Sequence, residues 1–165
     1  MKYLIPILFL FSLSATAQES TSFSIEGKVK QQMIIDFALL QTYTSVSVDS
    51  IVIYNHLMAR KSSIKNIKGV PLKEVLAKIE IIAERPTELS EYYLVCTAND
   101  GYKVVLSWNE VFNSKTANNF LVLTSFESNP AKTEKGYIAL IAPNDIASGR
   151  RFVKGLSKIS ILRVN

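Results

Sequence analysis

Apolar and polar residues alternate with a period of two through several short stretches of this 165-residue chain. Successive side chains of a strand point to opposite faces of a sheet, so this alternation predicts β-strands separated by polar turns. The alternation is found in 23–30 and 45–54. Further strands are predicted for short, mostly apolar stretches next to polar turns, at 92–98, 102–107, 119–126, 136–142 and 152–164, the last one bent or bulged at Gly155. The pattern therefore predicts about seven strands.

Two or three short helices are predicted between these strands. In 69–79, Pro71 suits the first position of a helix, where its missing N–H is not needed. The apolar residues that recur on one face of this helix are Leu72, Val75, Leu76 and Ile79. Ser107 and Glu110 have the Ser-x-x-Glu spacing of a capping box, which predicts a short helix after the strand. The residues from Asp36 onward are compatible with one or two helical turns.

Strands and helices do not alternate along this chain as they do in βαβ proteins. The order favours an α+β fold in which a mixed, mostly antiparallel sheet is curled or barrel-like and carries two or three short helices. The sequence contains no internal repeat, low-complexity tract or linker after the amino terminus. Residues 18–165 are therefore predicted to form a single domain, a length that suits one hydrophobic core.

The first seventeen residues have a different composition from the rest of the chain. Lys2 is followed by the apolar run "YLIPILFLFSL" and by the small residues "SATA". This order is typical of a secretory signal peptide, and the apolar run is shorter than the roughly 20 residues that span a bilayer. We expect residues 1–17 to be a cleaved signal peptide, the protein to be exported to the periplasm or the extracellular space, and no stable membrane insertion after cleavage. The alternative is an uncleaved amino-terminal anchor.

Charge distribution and cysteine content bear on two further questions, whether the protein binds nucleic acid and whether it contains a disulfide. The formal net charge is +5, but lysine and arginine are spread along the chain rather than clustered in one block. This distribution does not favour nucleic acid as a partner. The single cysteine, Cys96, cannot form an internal disulfide, so the fold must depend on its hydrophobic core.

Four stretches, in this order, resemble one known family. They are "FSIEGKV" (23–29), "NIKGVPLKEVLAKI" (66–79), "VCTANDGYKVVLSWNEVF" (95–112) and "IALIAPNDIASGRRFVKGLSKISI" (138–161). The chain resembles the oxidoreductase molybdopterin-binding domain, the fold of the sulfite oxidase catalytic core. Each motif alone is common, and the resemblance depends on the order of all four.

The resemblance implies a molybdopterin cofactor, but one ligand is missing. In catalytic members of the family a cysteine thiolate between the early strand and the Gly-Val-Pro-Leu helix ligates molybdenum. The corresponding segment here, 51–70, has no cysteine. Cys96 lies later, in an apolar strand, and is expected to be a buried apolar residue. Whether the chain is an enzyme is left open, with a non-catalytic protein favoured: we expect no catalytic residue, no metal site and no cofactor, and molybdopterin binding is the alternative.

Two polar clusters are the candidate ligand-binding residues. A basic cluster follows Ser148 and Gly149, and its arginines suit the oxygens of an anion. The resemblance implies that Arg151 and Lys154 lie beside the pterin phosphate and that the Asn-Asp-Gly-Tyr turn lies at the mouth of the active region. The candidates are Asn99, Asp100, Tyr102, Arg150, Arg151 and Lys154. A solvated basic turn and an ordinary hairpin turn are the alternatives.

The remaining polar residues give weaker indications of a catalytic or binding site. His56, the only histidine, is either a general base or an ordinary loop residue, and the basic residues Arg60, Lys61 and Lys65 are expected to form a solvated loop. The sequence thus favours an exported, non-catalytic binding or interaction module that recognises a small anionic ligand or a partner protein. The alternative is a pterin-binding oxidoreductase-like protein or subunit.

Overall fold

The computed structural model describes residues 21–115, 120–129 and 132–164, and the predicted signal peptide lies outside them. The strands are β1 (Ser22–Gly27), β2 (Met33–Asp36), β3 (Val46–Tyr54), β4 (Arg60–Pro71), β5 (Tyr92–Ala98), β6 (Lys103–Ser107), β7 (Leu121–Asn129), β8 (Lys132–Ile141) and β9 (Leu156–Arg163). The α-helices are α1 (Phe37–Leu40), α2 (Leu72–Leu76) and α3 (Trp108–Phe112), and 3₁₀ helices occupy Pro86–Glu91 and Ser148–Arg151. Within the described ranges, no helix has the length and apolar character that a membrane crossing requires.

Five strands form one mixed sheet in the order β2-β1-β9-β5-β6. β1 and β9 are parallel, and the other neighbouring pairs are antiparallel. The carboxy-terminal strand β9 lies at the centre, where Ile159 and Ile161 are fully buried. It therefore joins the amino-terminal hairpin to the β5–β6 hairpin.

The other four strands form an antiparallel sheet in the order β3-β4-β7-β8. The predicted α+β class, with mixed and mostly antiparallel strands, is confirmed. The strands are divided between two sheets, and the described strands do not close into a barrel. The sequence predicted one curled sheet, whereas the structure has two. The second sheet is separate because its four strands pair only with one another.

Strand β4 was not expected, so the prediction of a loop for Arg60, Lys61 and Lys65 is wrong, although all three residues are exposed as expected. The strand contains a bulge: its register with β7 shifts between Lys65 and Lys68, and Asn66 has a φ of 49°. A bulge adds a residue to one strand and interrupts the alternation of faces. Ile64 and Ile67, three residues apart, therefore enter the same apolar cluster, and a search for period two misses the strand.

Helix α2 is shorter than predicted. The backbone of Gly69–Pro71 belongs to β4, and the helix begins at Leu72 and ends at Leu76. Its apolar face is nevertheless as expected, because Leu72, Val75 and Leu76 are all buried. The capping box of α3 is also confirmed: the Ser107 side chain accepts from the Glu110 N–H, and the Glu110 carboxylate accepts from the Ser107 N–H.

Two apolar clusters lie on opposite faces of the four-stranded sheet. The larger one packs this sheet against the five-stranded sheet and the α-helices and contains Val70, Val122 and Leu140. The smaller one is built from residues of β3, β4, β7 and β8 that face the other side of this sheet. Phe152, which follows the second 3₁₀ helix, contacts Phe126 of this cluster edge to face, with ring centroids 6.0 Å apart. The segment around residues 148–152 is thereby held against the outer face of the sheet.

The 3₁₀ helix Pro86–Glu91 carries a buried carboxylate. Only 5% of Glu88 is exposed. The backbone N–H of Glu84 donates to this carboxylate over 3.1 Å, and Nη1 of Arg163 donates over 3.2 Å. The hydrogen bond from Glu84 has the largest effect and lowers the pKa of Glu88; burial opposes it, and the charge of Arg163 adds to it.

Glu88 is expected to make stability depend on pH in the acid range. Because its pKa is lowered on folding, its contribution is complete above the ordinary glutamate pKa of about 4.5 and is lost as the pH falls through the folded pKa. Urea unfolding of wild type and Glu88→Gln at a series of pH values should show a stability difference that shrinks below about pH 4.5. Glu84→Gln, which keeps the donating backbone N–H, should follow wild type. A pH-independent difference for Glu88→Gln would contradict this account.

Candidate functional site

The two candidate clusters, more than forty residues apart in sequence, meet in the structure. The hydroxyl of Tyr102 donates a 2.6 Å hydrogen bond to the carbonyl of Arg150. The backbone N–H of Asn99 donates to the carbonyl of Gly155 over 2.9 Å. The β5–β6 turn therefore lies beside the segment that contains the second 3₁₀ helix.

The same 3₁₀ helix is fixed to the edge of β3 by Ser148. The Ser148 hydroxyl donates to the carbonyl of Val52 over 2.6 Å and accepts from the N–H of Tyr54 over 3.2 Å. The Ser148 side chain thus makes the two hydrogen bonds to β3 that a neighbouring strand would otherwise make with its backbone. At Gly149 a Cβ atom would lie 2.6 Å from the carbonyl oxygen of Tyr54, so this close approach requires glycine.

A pocket of about 290 Å³ opens where these elements meet, and we call it the basic pocket. It is lined by Ile53, Tyr54, Asn55, His56, Lys61, Tyr102, Gly149 and Arg150. Its lining includes two permanent cations, Lys61 and Arg150, together with the imidazole of His56, and no carboxylate. Neither cation forms an ion pair within the described part of the chain. The arrangement suits an anion.

The β3–β4 turn supplies His56 to this pocket. The Asn55 side chain accepts hydrogen bonds from the N–H groups of Leu57 and Ala59, over 3.0 and 2.9 Å, and Met58 has a φ of 60°. This local bonding defines the turn, since an asparagine oxygen readily satisfies nearby backbone donors. His56 and Lys61 were not among the residues expected to bind a ligand. No local feature of the sequence shows that they meet Arg150.

Arg151 has a different role from its neighbour Arg150. Its Nε and Nη2 atoms donate to the two carboxylate oxygens of Asp145 over 2.6 and 2.5 Å, and Nη1 donates to Glu110 over 2.9 Å. The hydrogen bond with Asp145, followed by smaller contributions from Glu110, raises the pKa of the Arg151 guanidinium. Its guanidinium carbon also lies 4.9 Å from the ring centroid of Phe120. Arg151 therefore links the 3₁₀ segment to the cap of α3 and does not line the basic pocket.

The other candidates shape the surroundings of the pocket. The Asp100 carboxylate accepts from the N–H of Tyr102 over 3.0 Å and so stabilises the turn. Lys154 is exposed, with Nζ 5.2 Å from the ring centroid of Phe152, and is not a lining residue. Of the six candidate residues, Tyr102 and Arg150 line the pocket, whereas Asn99 and Asp100 belong to the supporting turn.

The described residues do not fit a molybdenum centre ligated by the protein. Cys96 is fully buried in β5, as expected for an apolar cysteine, and burial raises the pKa of its thiol to about 12. With no exposed surface, this thiol is not presented to a cofactor bound in a pocket. The described ranges also contain no group of three or more histidine, cysteine or acidic side chains that could hold a metal ion.

Comparison with known proteins supports the fold. No family model and no curated protein match this sequence. Among solved structures, the chain is similar to the sulfane dehydrogenase SoxCD from Paracoccus pantotrophus, with a TM-score of 0.61 and 13% sequence identity. The similarity covers 89% of this chain but only 40% of the SoxCD chain, so this chain spans less than half the length of that protein. It shows a distant relationship of fold, within the α+β class.

Proposed function

We propose that this chain is an exported, non-catalytic binding module on a sulfite oxidase-like fold and that it takes a small oxyanion in the basic pocket. The convergence of Lys61 and Arg150 in a pocket without a lining carboxylate carries the proposal. The two cations come from different elements, β4 and the second 3₁₀ helix. The Ser148 hydrogen bonds hold this 3₁₀ helix to β3, which pairs directly with β4. The site is therefore a feature of the folded chain rather than a run of basic residues.

The pocket favours a compact, negatively charged ligand. A guanidinium offers parallel N–H donors to two oxygens of one anion, and a lysine ammonium adds a point charge. Tyr102 already donates its hydroxyl proton to the Arg150 carbonyl, which positions the backbone that carries the guanidinium. The volume of about 290 Å³ is just below the usual range for small-molecule pockets, roughly 300–1,000 Å³, which suits a ligand of few atoms. Sulfate and inorganic phosphate are suitable probes of this size and charge.

Two observations support a binding role rather than a molybdenum enzyme. The only cysteine is buried, and Arg151, one of the residues implied to lie beside a pterin, is held by two carboxylates. The alternative, a pterin-binding oxidoreductase-like protein or subunit, is favoured by the fold that the chain shares with a protein named a sulfane dehydrogenase. Molybdenum analysis of protein from its native host separates the two, because about one atom per chain would overturn the non-catalytic proposal.

The export part of the proposal depends on the composition of residues 1–17. A charged start, an apolar run and a small-residue end together are typical of a cleaved leader. Amino-terminal sequencing of the protein recovered outside the cytoplasm should begin at Gln18. Recovery of the intact chain starting at Met1 would contradict cleavage.

Titration calorimetry with sulfate, and separately with phosphate, at low ionic strength tests the oxyanion site. We expect saturable binding that Arg150→Ala and Lys61→Ala each weaken about tenfold or more, which corresponds to about 1.4 kcal/mol. Added sodium chloride should weaken binding, since salt screens exposed charges.

Lys28→Ala is the matched control because it removes one exposed lysine that does not line the pocket. It should bind both anions as wild type does. Equal weakening in Lys28→Ala and Arg150→Ala would indicate a nonspecific effect of net charge and would overturn the site. Absence of saturable binding in wild type would do the same.

A further inference from the structure

A second cavity, of about 520 Å³, shares no lining residue with the basic pocket. It lies between α1, with the segment that follows it, and strands β4 and β7, and we call it the α1 cavity. It is lined by Phe37, Leu40, Gln41, Tyr43, Ser45, Lys68, Val70, Thr124 and Ser125. Its volume is well within the range of small-molecule sites.

The two sides of the α1 cavity differ in chemistry. Phe37, Leu40 and Val70 provide an apolar surface, whereas Lys68, Thr124 and Ser125 provide polar groups. The polar side coincides with irregular strand pairing: the β4–β7 register shifts on both sides of Lys68, and the β7–β8 register shifts between Leu123 and Ser125. Bulges redirect side chains and are common beside ligand sites. The cavity therefore combines an apolar wall with a polar edge.

Tyr43 adds a polar atom that the protein leaves unsatisfied. Its hydroxyl is buried and has no hydrogen-bond partner, and it is the only such side-chain atom in the described part of the chain. Buried polar groups in folded proteins are rarely left unpaired, because the lost hydrogen bonds to water are not replaced. The Nζ atom of Lys78 lies 4.2 Å from the centroid of the Tyr43 ring, which places a cation beside this tyrosine.

We propose that the α1 cavity binds a small carboxylate with an aromatic or aliphatic body. The body lies against Phe37 and Leu40, and the carboxylate accepts from the Tyr43 hydroxyl, whose proton can turn about the C–O bond towards it. The Lys68 ammonium supplies the opposite charge, and no acidic residue lines the cavity to repel the ligand. An anion with an apolar body matches every part of this lining, whereas an inorganic oxyanion leaves the apolar wall in contact with water.

Benzoate and its neutral analogue benzyl alcohol, titrated into ¹⁵N-labelled protein and followed by NMR, test the proposal. Benzoate should shift the amide signals of residues 37–45, 68 and 124–125 in a saturable manner, and benzyl alcohol should bind at least tenfold more weakly. Lys68→Met should weaken benzoate about tenfold. Lys65→Met, on the same strand but outside the lining, should leave the benzoate affinity unchanged.

Tyr43→Phe gives a second readout that a purely structural tyrosine would not produce. It keeps the ring beside Lys78 but removes the unpaired hydroxyl, so the ligand-free melting temperature should be unchanged or raised by about 2–4 °C. The same variant should bind benzoate about tenfold more weakly than wild type. Higher stability together with lower affinity is the expected combination.

Several results would overturn this assignment. A lower melting temperature for ligand-free Tyr43→Phe would show that the hydroxyl is already paired in the protein. Benzoate shifts confined to residues 53–61 and 149–150 would place the carboxylate in the basic pocket instead. Arg150→Ala is expected to retain benzoate binding in the α1 cavity, so the two sites can fail independently.

Discussion

Gly27→Ala should lower the free energy of unfolding by about 3–5 kcal/mol, the largest effect that we expect from a single added methyl group. Gly27 pairs with Ile161 where β1 runs parallel to β9, and its φ is 99°. A Cβ atom there would lie 2.2 Å from the carbonyl oxygen of Ile161. That oxygen also accepts the N–H of Lys28 over 2.8 Å, so moving it disturbs a hydrogen bond of the sheet. The strain of a left-handed backbone and the displacement of the Ile161 carbonyl therefore both lower the stability of Gly27→Ala.

Gly101→Ala is the matched control for this prediction. Gly101 also has a positive φ, 86°, but no atom lies within 4 Å of an added Cβ. It should therefore show only the conformational cost, about 1–2 kcal/mol. Urea unfolding monitored by the fluorescence of Trp108 measures both variants. Equal losses in the two variants would mean that contact with Ile161 contributes nothing and would contradict the account of the β1–β9 junction.

Arg151→Met should cost about 2–3 kcal/mol, because it removes a bidentate pair with Asp145 and a third hydrogen bond to Glu110. The Asp145 side chain is only 19% exposed, so its carboxylate loses its partner in a place with limited access to water. The arginine side chain is itself 29% exposed, and this partial contact with water keeps the expected loss below that of a fully buried pair. The methionine retains the apolar stem beside Phe120.

Arg150→Met provides the comparison within the same dipeptide. Arg150 is exposed and has no ion pair among the described residues, so its stability change should stay within about 0.5 kcal/mol. A double-mutant cycle of Arg151→Met and Asp145→Asn, measured by urea unfolding, should give a coupling of about 1–2 kcal/mol. Coupling near zero would show that this ion pair does not stabilise the fold. Substitution of Arg151 should therefore lower stability, whereas substitution of the adjacent Arg150 should weaken anion binding and leave stability almost unchanged.

The local sequence pattern was sufficient to predict much of the secondary structure. The short apolar stretches 92–98 and 102–107 predicted the two strands of the β5–β6 hairpin, and Asn-Asp-Gly predicted its turn, because these features depend on neighbouring residues alone. Strand β4 was missed since the bulge at Asn66 replaces the period of two by a spacing of three between Ile64 and Ile67. The division of the strands into two sheets was also missed, because alternation identifies a strand but not its partner.

In the candidate site, too, the sequence did not show which distant residues come together. The basic cluster and the Asn99–Tyr102 turn were identified from residue type, and the structure brings them together through Tyr102 and Arg150. His56 and Lys61 carried no signal of their own, because a single histidine and a scattered lysine are ordinary surface residues. Their place in the basic pocket depends on hydrogen bonds between Ser148 and β3, across 94 and 96 positions of the chain.

The amino-acid sequence by itself determined the α+β class, most of the strands, the apolar character of Cys96 and the lack of a cysteine in 51–70. These properties follow from residue type and short-range periodicity, which every segment carries independently of the rest of the chain. Only the tertiary structure decided that Arg150 faces a pocket while Arg151 is held by Asp145 and Glu110. The physical reason is that a side chain's role depends on the charges and surfaces brought beside it, and those neighbours come from distant parts of the chain.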